Sequence, residues 1–530
     1  MPDSQPRLAR SAGVFGLATF ASRILGLVRD QVISYYFGAG ATADAFRVAG
    51  RIPNLVRDLF AEGAMSAAFV PTFTRQLTLY GRERAWVLAN SVISSLVLVT
   101  GGLVVAGIVF AEPLVRTFAP EFSTVPGQVE LTVHLTRIML PLLTLVAVAA
   151  ALMGMLNSMG HFFVPALSPA MFNVAVVAVA VVFIPLAPSF GIDPITVVAI
   201  GTLAGGIGQL LIQWPPLRKE GFRYRPTIDL HDEGLRHVLL LMGPGTIGMA
   251  TTQINVFVNT MLATSAGTGA VTYLDLAFRL MYLPIGLFGV SIAAASTPAI
   301  SRLVAEGNFD RIRSTLAGAI RLMLLLNVPA TLGLMVLAQP IVAVIFERGR
   351  FTAADTTATA AALQFYALGL VGYSVVRIVS PTFYSLHKSR IPVMVSMASV
   401  VVNVALNWWL VGRLGFRGLA LGTSITALLN ASVQLWLMRR ELNGIDGDRI
   451  ARSLVRVAAA TAAMAVAAWG ANALLTMWLP GQAFVLQVLR LTLSIVAALL
   501  TLAIAAQVLR IEEFGEARDL VLGRFRRMRK

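Results

Sequence analysis

Apolar runs of about twenty residues recur along the whole chain, and "AFVLQVLRLTLSIVAALLTLAIAAQVL" (483–509) is one of them. A polypeptide patterned this way must satisfy its backbone polar groups internally and turn its apolar side chains to lipid, which leaves membrane-spanning helices as the main option. The charge content agrees. Only 13% of the 530 residues are charged, about half the roughly 25% typical of a soluble domain. Mean hydropathy is +0.77. The chain is therefore predicted to be an all-α polytopic membrane protein.

Fourteen spans are predicted, centred near residues 24, 58, 98, 143, 173, 203, 250, 285, 332, 370, 401, 428, 466 and 497. The formal charge of +16 would point to nucleic acid on a soluble chain, but here its placement reads as topology. Basic residues follow the even-numbered spans: Arg75, Arg82 and Arg84, then Arg218, Lys219, Arg223, Arg225 and Arg236, then Arg302, Arg311 and Arg313, then Lys388 and Arg390, then Arg439, Arg440, Arg449, Arg452 and Arg456, and the tail ends "GRFRRMRK". The odd-numbered loops "APSFGID" and "ATSAGTGA" have none, and Arg413 and Arg417 are the exception. The positive-inside bias places both termini in the cytoplasm, which an even number of spans requires.

Loops are short, so no soluble catalytic domain is expected. The longest, "PPLRKEGFRYRPTIDLHDEGLRH" (215–237), reads as a cytoplasmic linker between two six-span halves, with Asp232 and Glu233 solvated in it. A weak repeat supports the halves: "FVPTFTR" (69–75) ends span 2, "STPAISR" (296–302) ends span 8, and each has a proline upstream, Pro53 and Pro284. The predicted organisation is an N-terminal lobe (1–214), the linker (215–237), a C-terminal lobe (238–440), two further spans (441–510) and a basic cytoplasmic tail (511–530).

The chain has no cysteine, which excludes disulfides and thiolate chemistry. Its five histidines, His134, His161, His231, His237 and His387, form no ligand pair at helical spacing. No cleavable signal peptide is evident in a first span that carries Arg23, Arg29 and Asp30.

One stretch departs from this apolar background. "DAFRVAGRIPNLVRDLFAEGA" (44–64) holds three arginines, two aspartates and a glutamate. On a helical wheel Asp58, Arg51, Asp44 and Glu62 fall within about 60° of Arg47, while Arg57 lies further round. This polar face extends roughly 27 Å, close to the hydrocarbon thickness. A single charge at the bilayer centre costs on the order of 3 kcal/mol, so these groups must face protein or water. Three readings remain: a helix lying on the membrane surface, an ion-pair network locking helices together, or a water-filled cavity whose arginines hold an anion. Span 1 has Arg23 and Asp30 two turns apart on one face, with Arg29 further round. Span 8 has Asp275 one turn before Arg279, and Arg137 and Arg377 add further arginine within spans. Arginine suits phosphate and carboxylate because its planar fork bonds two oxygens and does not deprotonate. The expected cargo is anionic.

The block "ASRILGLVRDQVISYYFGAGATADAFRVAGRIPNLVRDLFAEGAMSAAFVPTF" (21–73) resembles the signature N-terminal region of the MurJ (MviN) family. "LNSMGHFFVPALSPAMFN", "FERGRFTAAD" and "FYALGLVGYSVVRIVSPTFYSLHKSRIP" follow the same family's pattern in order, so the resemblance covers essentially the whole chain. It implies a lipid II flippase of the multidrug/oligosaccharidyl-lipid/polysaccharide exporter superfamily, with two six-helix lobes in a V around a cationic cavity plus two C-terminal helices. Such a protein moves undecaprenyl-pyrophosphate-linked disaccharide pentapeptide from inner to outer leaflet of the bacterial cytoplasmic membrane by alternating access. The resemblance carries functional importance to Arg23, Arg29, Asp30, Asp44, Arg57 and Arg279. Arg23, Arg29, Arg57 and Arg279 are then expected to bind the pyrophosphate, with Asp30, Asp44, Arg51, Glu62 and Asp275 in supporting or gating ion pairs. One departure stands out: where many members carry an acid directly before the span-8 arginine, this chain has Phe278, with Asp275 a turn away.

The lipid tail is expected to stay in the bilayer, along a groove of spans 13 and 14. No Walker motif occurs, so no ATP is expected. A coupling monovalent cation or the membrane potential remains, with Asn255, Asn403 and Asn407 as weak oxygen ligands beside the alternative of interhelical hydrogen bonding. Expected partners are lipid II, membrane lipid and the cell-wall synthesis machinery, with no nucleic acid and no catalytic metal. The alternatives are an exporter of another polyprenyl-linked glycan on the same fold, a drug exporter by cation antiport, and a membrane enzyme acting on lipid-linked sugars. An antiporter of cationic drugs would need a cavity of the opposite charge. An enzyme would need an acid cluster or nucleophile that the loops do not offer.

Overall fold

The computed structural model describes residues 4–58, 66–229, 232–515 and 518. They are helical, with no strand among them. In chain order the helices are α1 (Ser4–Phe37), α2 (Ala41–Arg57), α3 (Ser66–Val109), α4 (Ala111–Phe118), α5 (Gln128–Met139), α6 (Leu142–Ser158), α7 (Phe163–Phe183), α8 (Pro194–Lys219) and α9 (Glu233–Thr264). They continue as α10 (Ala270–Pro284), α11 (Val290–Ala305), α12 (Phe309–Val336), α13 (Ala338–Phe346), α14 (Ala353–Ala367), α15 (Leu370–Ser385), α16 (Arg390–Leu414), α17 (Phe416–Glu441), α18 (Gly447–Trp478) and α19 (Phe484–Val508).

Ten of the described helical stretches are long and apolar enough to cross a bilayer, or eleven when the bent pair α14 and α15 counts as one span. The protein is a polytopic membrane protein. A total of fourteen requires α1, α2 and α9 as well. Of these, α2 has only 17 residues and carries Asp44, Arg47, Arg51 and Arg57, and Gln253, Asn255 and Asn259 make α9 more polar than its neighbours. Several spans are broken by identifiable residues. Gly81, at φ +80°, interrupts α3. Pro141 separates α5 from α6. Pro284 leads into a π-helical turn, Ile285–Gly289, that joins α10 to α11. A proline removes an i→i−4 hydrogen bond, and wider turns form where the ladder is lost.

The chain forms two compact units. One comprises Met1–Thr272 together with Arg348–Phe351, and the other Tyr273–Glu347 with Thr352–Lys530. In the first, Phe69, Phe73, Leu88, Leu152, Met155 and Leu235 form one core cluster, and Ile33, Ala45, Leu135, Val176 and Val198 another. In the second, Ile320, Met323, Ile378, Phe383 and Met438 pack α12, α15 and α17 together. Val457 and Ala460 of α18 close on Leu325 of α12. Trp408 and Trp478 are 74% and 77% exposed. Such apolar exposure is stable against lipid, and tryptophan favours the membrane interface.

The connector after α8 is exposed over residues 223–229 yet anchored. Its backbone is stitched to α3: Arg225 N donates to Asn90 Oδ1 (3.1 Å), Asn90 Nδ2 to Arg223 O (3.4 Å) and Thr227 N to Ser94 Oγ (3.2 Å). Asp232, read above as solvated, is 6% exposed. Its Oδ1 accepts from Leu235 N at 2.9 Å, capping α9, and its Oδ2 pairs with Arg84 at 2.7 Å. At the start of the connector the His161 ring, hydrogen-bonded at 2.8 Å, and Arg82 hold the Glu220 carboxyl below its ordinary range. Loss of an N-cap costs about 1 kcal/mol, and a broken buried pair adds to it. Asp232→Ala is therefore expected to lower the melting temperature in detergent, with Asp232→Asn, which keeps a capping oxygen, falling between it and wild type. Equal melting of all three proteins would show that the cap contributes nothing.

Candidate functional site

Three of the arginines that the sequence singles out, Arg29, Arg57 and Arg279, are seated beside an acid of their own segment. In α1, Arg29 closes its Nε and Nη2 onto one oxygen of Asp30, at 3.2 and 2.9 Å. The Asp30 side chain is 3% exposed and that of Arg29 17%. At the end of α2, Arg57 makes the same closed fork on Asp58 Oδ1, at 2.9 and 2.6 Å, and both side chains are about a third exposed. In α10, Arg279 Nε donates to Asp275 Oδ2 at 3.0 Å, in the one-turn spacing that the sequence predicts, and Arg279 is 42% exposed. Arg23, Arg47 and Arg51 are half-buried on α1 and α2. The backbone around Arg23 is fixed by Asn173 of α7, whose Nδ2 donates to Ser22 O at 3.2 Å.

An arginine held in this way is neutralised by its neighbour yet keeps a guanidinium that can exchange one oxyanion for another. Both N–H groups of each fork in α1 and α2 fall on one carboxylate oxygen rather than on two. The arrangement suits reversible capture of a phosphate-like anion.

Two assignments differ from expectation. Asp44 does not hold an arginine in an ion pair. It is 1% exposed and accepts from Gly269 N (2.6 Å), Thr272 N (2.9 Å) and Thr272 Oγ1 (2.7 Å), tying α2 to the turn before α10 and to that helix's first turn. Backbone donors at a helix start attract a carboxylate strongly, and Arg47 one turn away acts on Asp44 through its charge. The acid on Arg57 is Asp58, a residue the wheel placed on the polar face without a role. Glu62 lies outside the described residues.

Phe278 stands where many relatives were expected to carry an acid. It stacks on Tyr282 (centroids 5.8 Å apart) and meets Tyr366 edge-on at 5.4 Å. Arg377 lies 5.5 Å from the Tyr282 ring centre and donates to its hydroxyl. Arg279 pairs with Asp275, and the position before it belongs to an aromatic cluster. Sequence reading missed this cluster, although Tyr282, Tyr366 and Tyr373 are visible as aromatics at helical spacing.

Asn403 and Asn407 are buried in α16. Asn407 Nδ2 donates to Asn403 Oδ1 (3.1 Å), and Asn403 Nδ2 lies 3.4 Å from Thr426 Oγ1 of α17. Asn255 Oδ1 accepts from Asn259 in α9. These are neutral oxygen donors, and among the described residues no three His, Asp or Glu side chains gather as a metal site.

The fold is that of the multidrug/oligosaccharidyl-lipid/polysaccharide exporter superfamily. An inward-facing multidrug transporter of the MATE family within it superposes with a TM-score of 0.67 over 81% of this chain and 98% of that one, at 17% identity. A solved lipid II flippase MurJ in an inward closed conformation matches more fully, with a TM-score of 0.76, 26% identity and coverage of 93% of this chain and 99% of that one. The family profile "Lipid II flippase MurJ" matches residues 33–489, and a protein of Bdellovibrio bacteriovorus described as a probable lipid II flippase MurJ is 33% identical over 98% of both chains. The chain belongs to the MurJ lipid II flippase family.

Proposed function

We propose that this protein is a lipid II flippase of the bacterial inner membrane, with both termini cytoplasmic, and that Arg29, Arg57 and Arg279, helped by Arg23, bind the pyrophosphate. The observation that carries this reading is the repeated arginine–acid pair on α1, α2 and α10, within a chain whose relatives are named for this cargo. The pyrophosphate displaces Asp30, Asp58 and Asp275 from their arginines. The acids recapture the guanidinia on release, so no arginine faces a low-dielectric wall uncompensated. Leaflet exchange follows from alternating access between the two lobes, residues 1–214 and 238–440 joined by 215–237. The polyprenyl tail stays in lipid against α18 and α19, and Arg51 supports the α2 pair.

The neutral character of Asn255, Asn403 and Asn407 favours resetting by the membrane potential, worth about 2.3 kcal/mol per charge per 100 mV, over a tightly held coupling cation. Cell-wall synthases are the natural consumers of the delivered product.

Binding of lipid II to the purified protein tests the reading. A hydrogen bond to a charged group is worth roughly 1.5–3 kcal/mol, so Arg29→Ala, Arg57→Ala and Arg279→Ala are each expected to weaken binding about tenfold to a hundredfold. Unchanged affinity in all three folded variants would remove the site.

A further inference from the structure

A second cationic cluster is built from other arginines, where α12, the start of α18 and the segment after α19 meet. A cavity of about 340 Å³ is lined there by Arg321, Arg449, Arg452, Ser453 and Arg456, with Ile511, Glu512 and Glu513 closing it. Arg321 of α12 bridges Glu512 (3.0 Å) and Glu513 (3.1 Å), and Glu513 is 6% exposed, so these three groups are structural. They rest on an apolar floor of Leu325, Val457, Ala506 and Ile511.

The other three arginines have no such explanation. Arg449, Arg452 and Arg456 share one face of α18, and among the described residues none has a carboxylate partner. Arg452 Nε donates to the Asp448 carbonyl at 3.2 Å and Arg456 Nη1 to the Arg510 carbonyl at 3.1 Å, which spends one donor of five on each. Four arginines against two glutamates leave an excess of two positive charges around the cavity. Like charges gathered at these positions repel one another and are stable together when an anion sits among them.

We infer that this cavity is a phosphate-binding site that takes the headgroup phosphate of an anionic phospholipid at the inner leaflet, with Arg449, Arg452 and Arg456 as its ligands. The leaflet assignment rests on the positive-inside topology proposed above. The three arginines occupy the first turns of a helix whose following residues are apolar and lipid-exposed, which is the depth of the headgroup layer, and basic pockets between helices at that level recognise anionic headgroups.

The test uses the full-length protein in neutral detergent and phosphatidylglycerol labelled on an acyl chain, read by fluorescence anisotropy. Binding is expected to saturate, to resist competition by phosphatidylcholine, and to weaken about thirtyfold in Arg452→Gln/Arg456→Gln, at roughly 1 kcal/mol per arginine. Arg449→Gln alone, expected to weaken it less, serves if the double variant does not fold. Displacement of the probe by millimolar inorganic phosphate would support the phosphate chemistry and widen its source to soluble anions. Resistance to it would support a lipid source. Wild-type affinity in a folded double variant, or equal competition by phosphatidylcholine, would overturn the proposal. Lipid II binding by the double variant is expected to be unchanged, and Arg29→Ala is expected to keep phosphatidylglycerol binding, so the two sites fail separately.

Discussion

Replacing Asp44 by alanine is expected to cost about 3–5 kcal/mol, because it strands donors in a buried place. The carboxylate accepts three hydrogen bonds. Without it the Gly269 and Thr272 amides are left buried without acceptors, at roughly 1–3 kcal/mol for each unsatisfied group. Asparagine separates shape from charge. Its amide oxygen can replace the Oδ1 that serves Thr272, but its NH2 group then faces the Gly269 N–H, donor against donor. Asp44→Asn is therefore predicted to recover only part of the loss although it is isosteric. Thermal melting in detergent reads both variants. If Asp44→Asn melts with wild type, the Gly269 contact does not contribute.

Gly349→Ala is expected to cost at least about 3 kcal/mol, through a backbone contact that admits no side chain. Gly349 has φ +60°, and a Cβ there would stand 2.2 Å from the Tyr35 carbonyl oxygen. Across the same contact Gly38, at φ +63°, would place a Cβ 2.5 Å from the Arg350 carbonyl oxygen. The two glycines let the end of α1 and the 348–351 turn approach until Arg350 N donates to Tyr35 O at 2.8 Å. The left-handed conformation alone costs a non-glycine residue roughly 1–2 kcal/mol, and forced overpacking adds typically 1–3 kcal/mol. Gly307→Ala is the control. It shares the backbone conformation at φ +68° but faces open space, so only the smaller loss is expected there. Equal melting of the two variants would show that the α1 contact yields without cost.

Much of this architecture is legible from local pattern. The apolar runs locate the helices because lipid imposes a uniform composition on each span, and the predicted centres fall in helices or at their immediate ends. Breaks within spans were less legible: a proline marks a weak point but does not say whether a bend, a π turn or a new helix follows, as Pro53, Pro141 and Pro284 show by behaving differently. At the site, Arg279 with Asp275 follows from helical spacing, whereas the Arg29 fork on Asp30 does not, since the wheel sets Asp30 on the face of Arg23 with Arg29 further round. Asp44 was not legible in the same way. Its partners lie more than two hundred residues on, and nothing within one turn of it announces that backbone amides will arrive there. The motif "FERGRF" was recognised by resemblance, but its physical reason, a glycine pressed against another backbone, appears only when residues 35–38 are set beside it. Asp232 was misread for a related reason: it looks solvated until Arg84 and the first turn of α9 close over it.

The most direct test of the central claim is the leaflet distribution of lipid II in cells depleted of their own flippase and expressing either this chain or its Arg29→Ala, Arg57→Ala and Arg279→Ala variants, each verified in the membrane. The account predicts that the wild-type chain restores lipid II to the outer leaflet and supports growth, and that the arginine variants leave it on the inner leaflet and the cells lyse. A well-inserted wild-type chain that leaves lipid II on the inner leaflet would contradict it and make another polyprenyl-linked glycan the cargo.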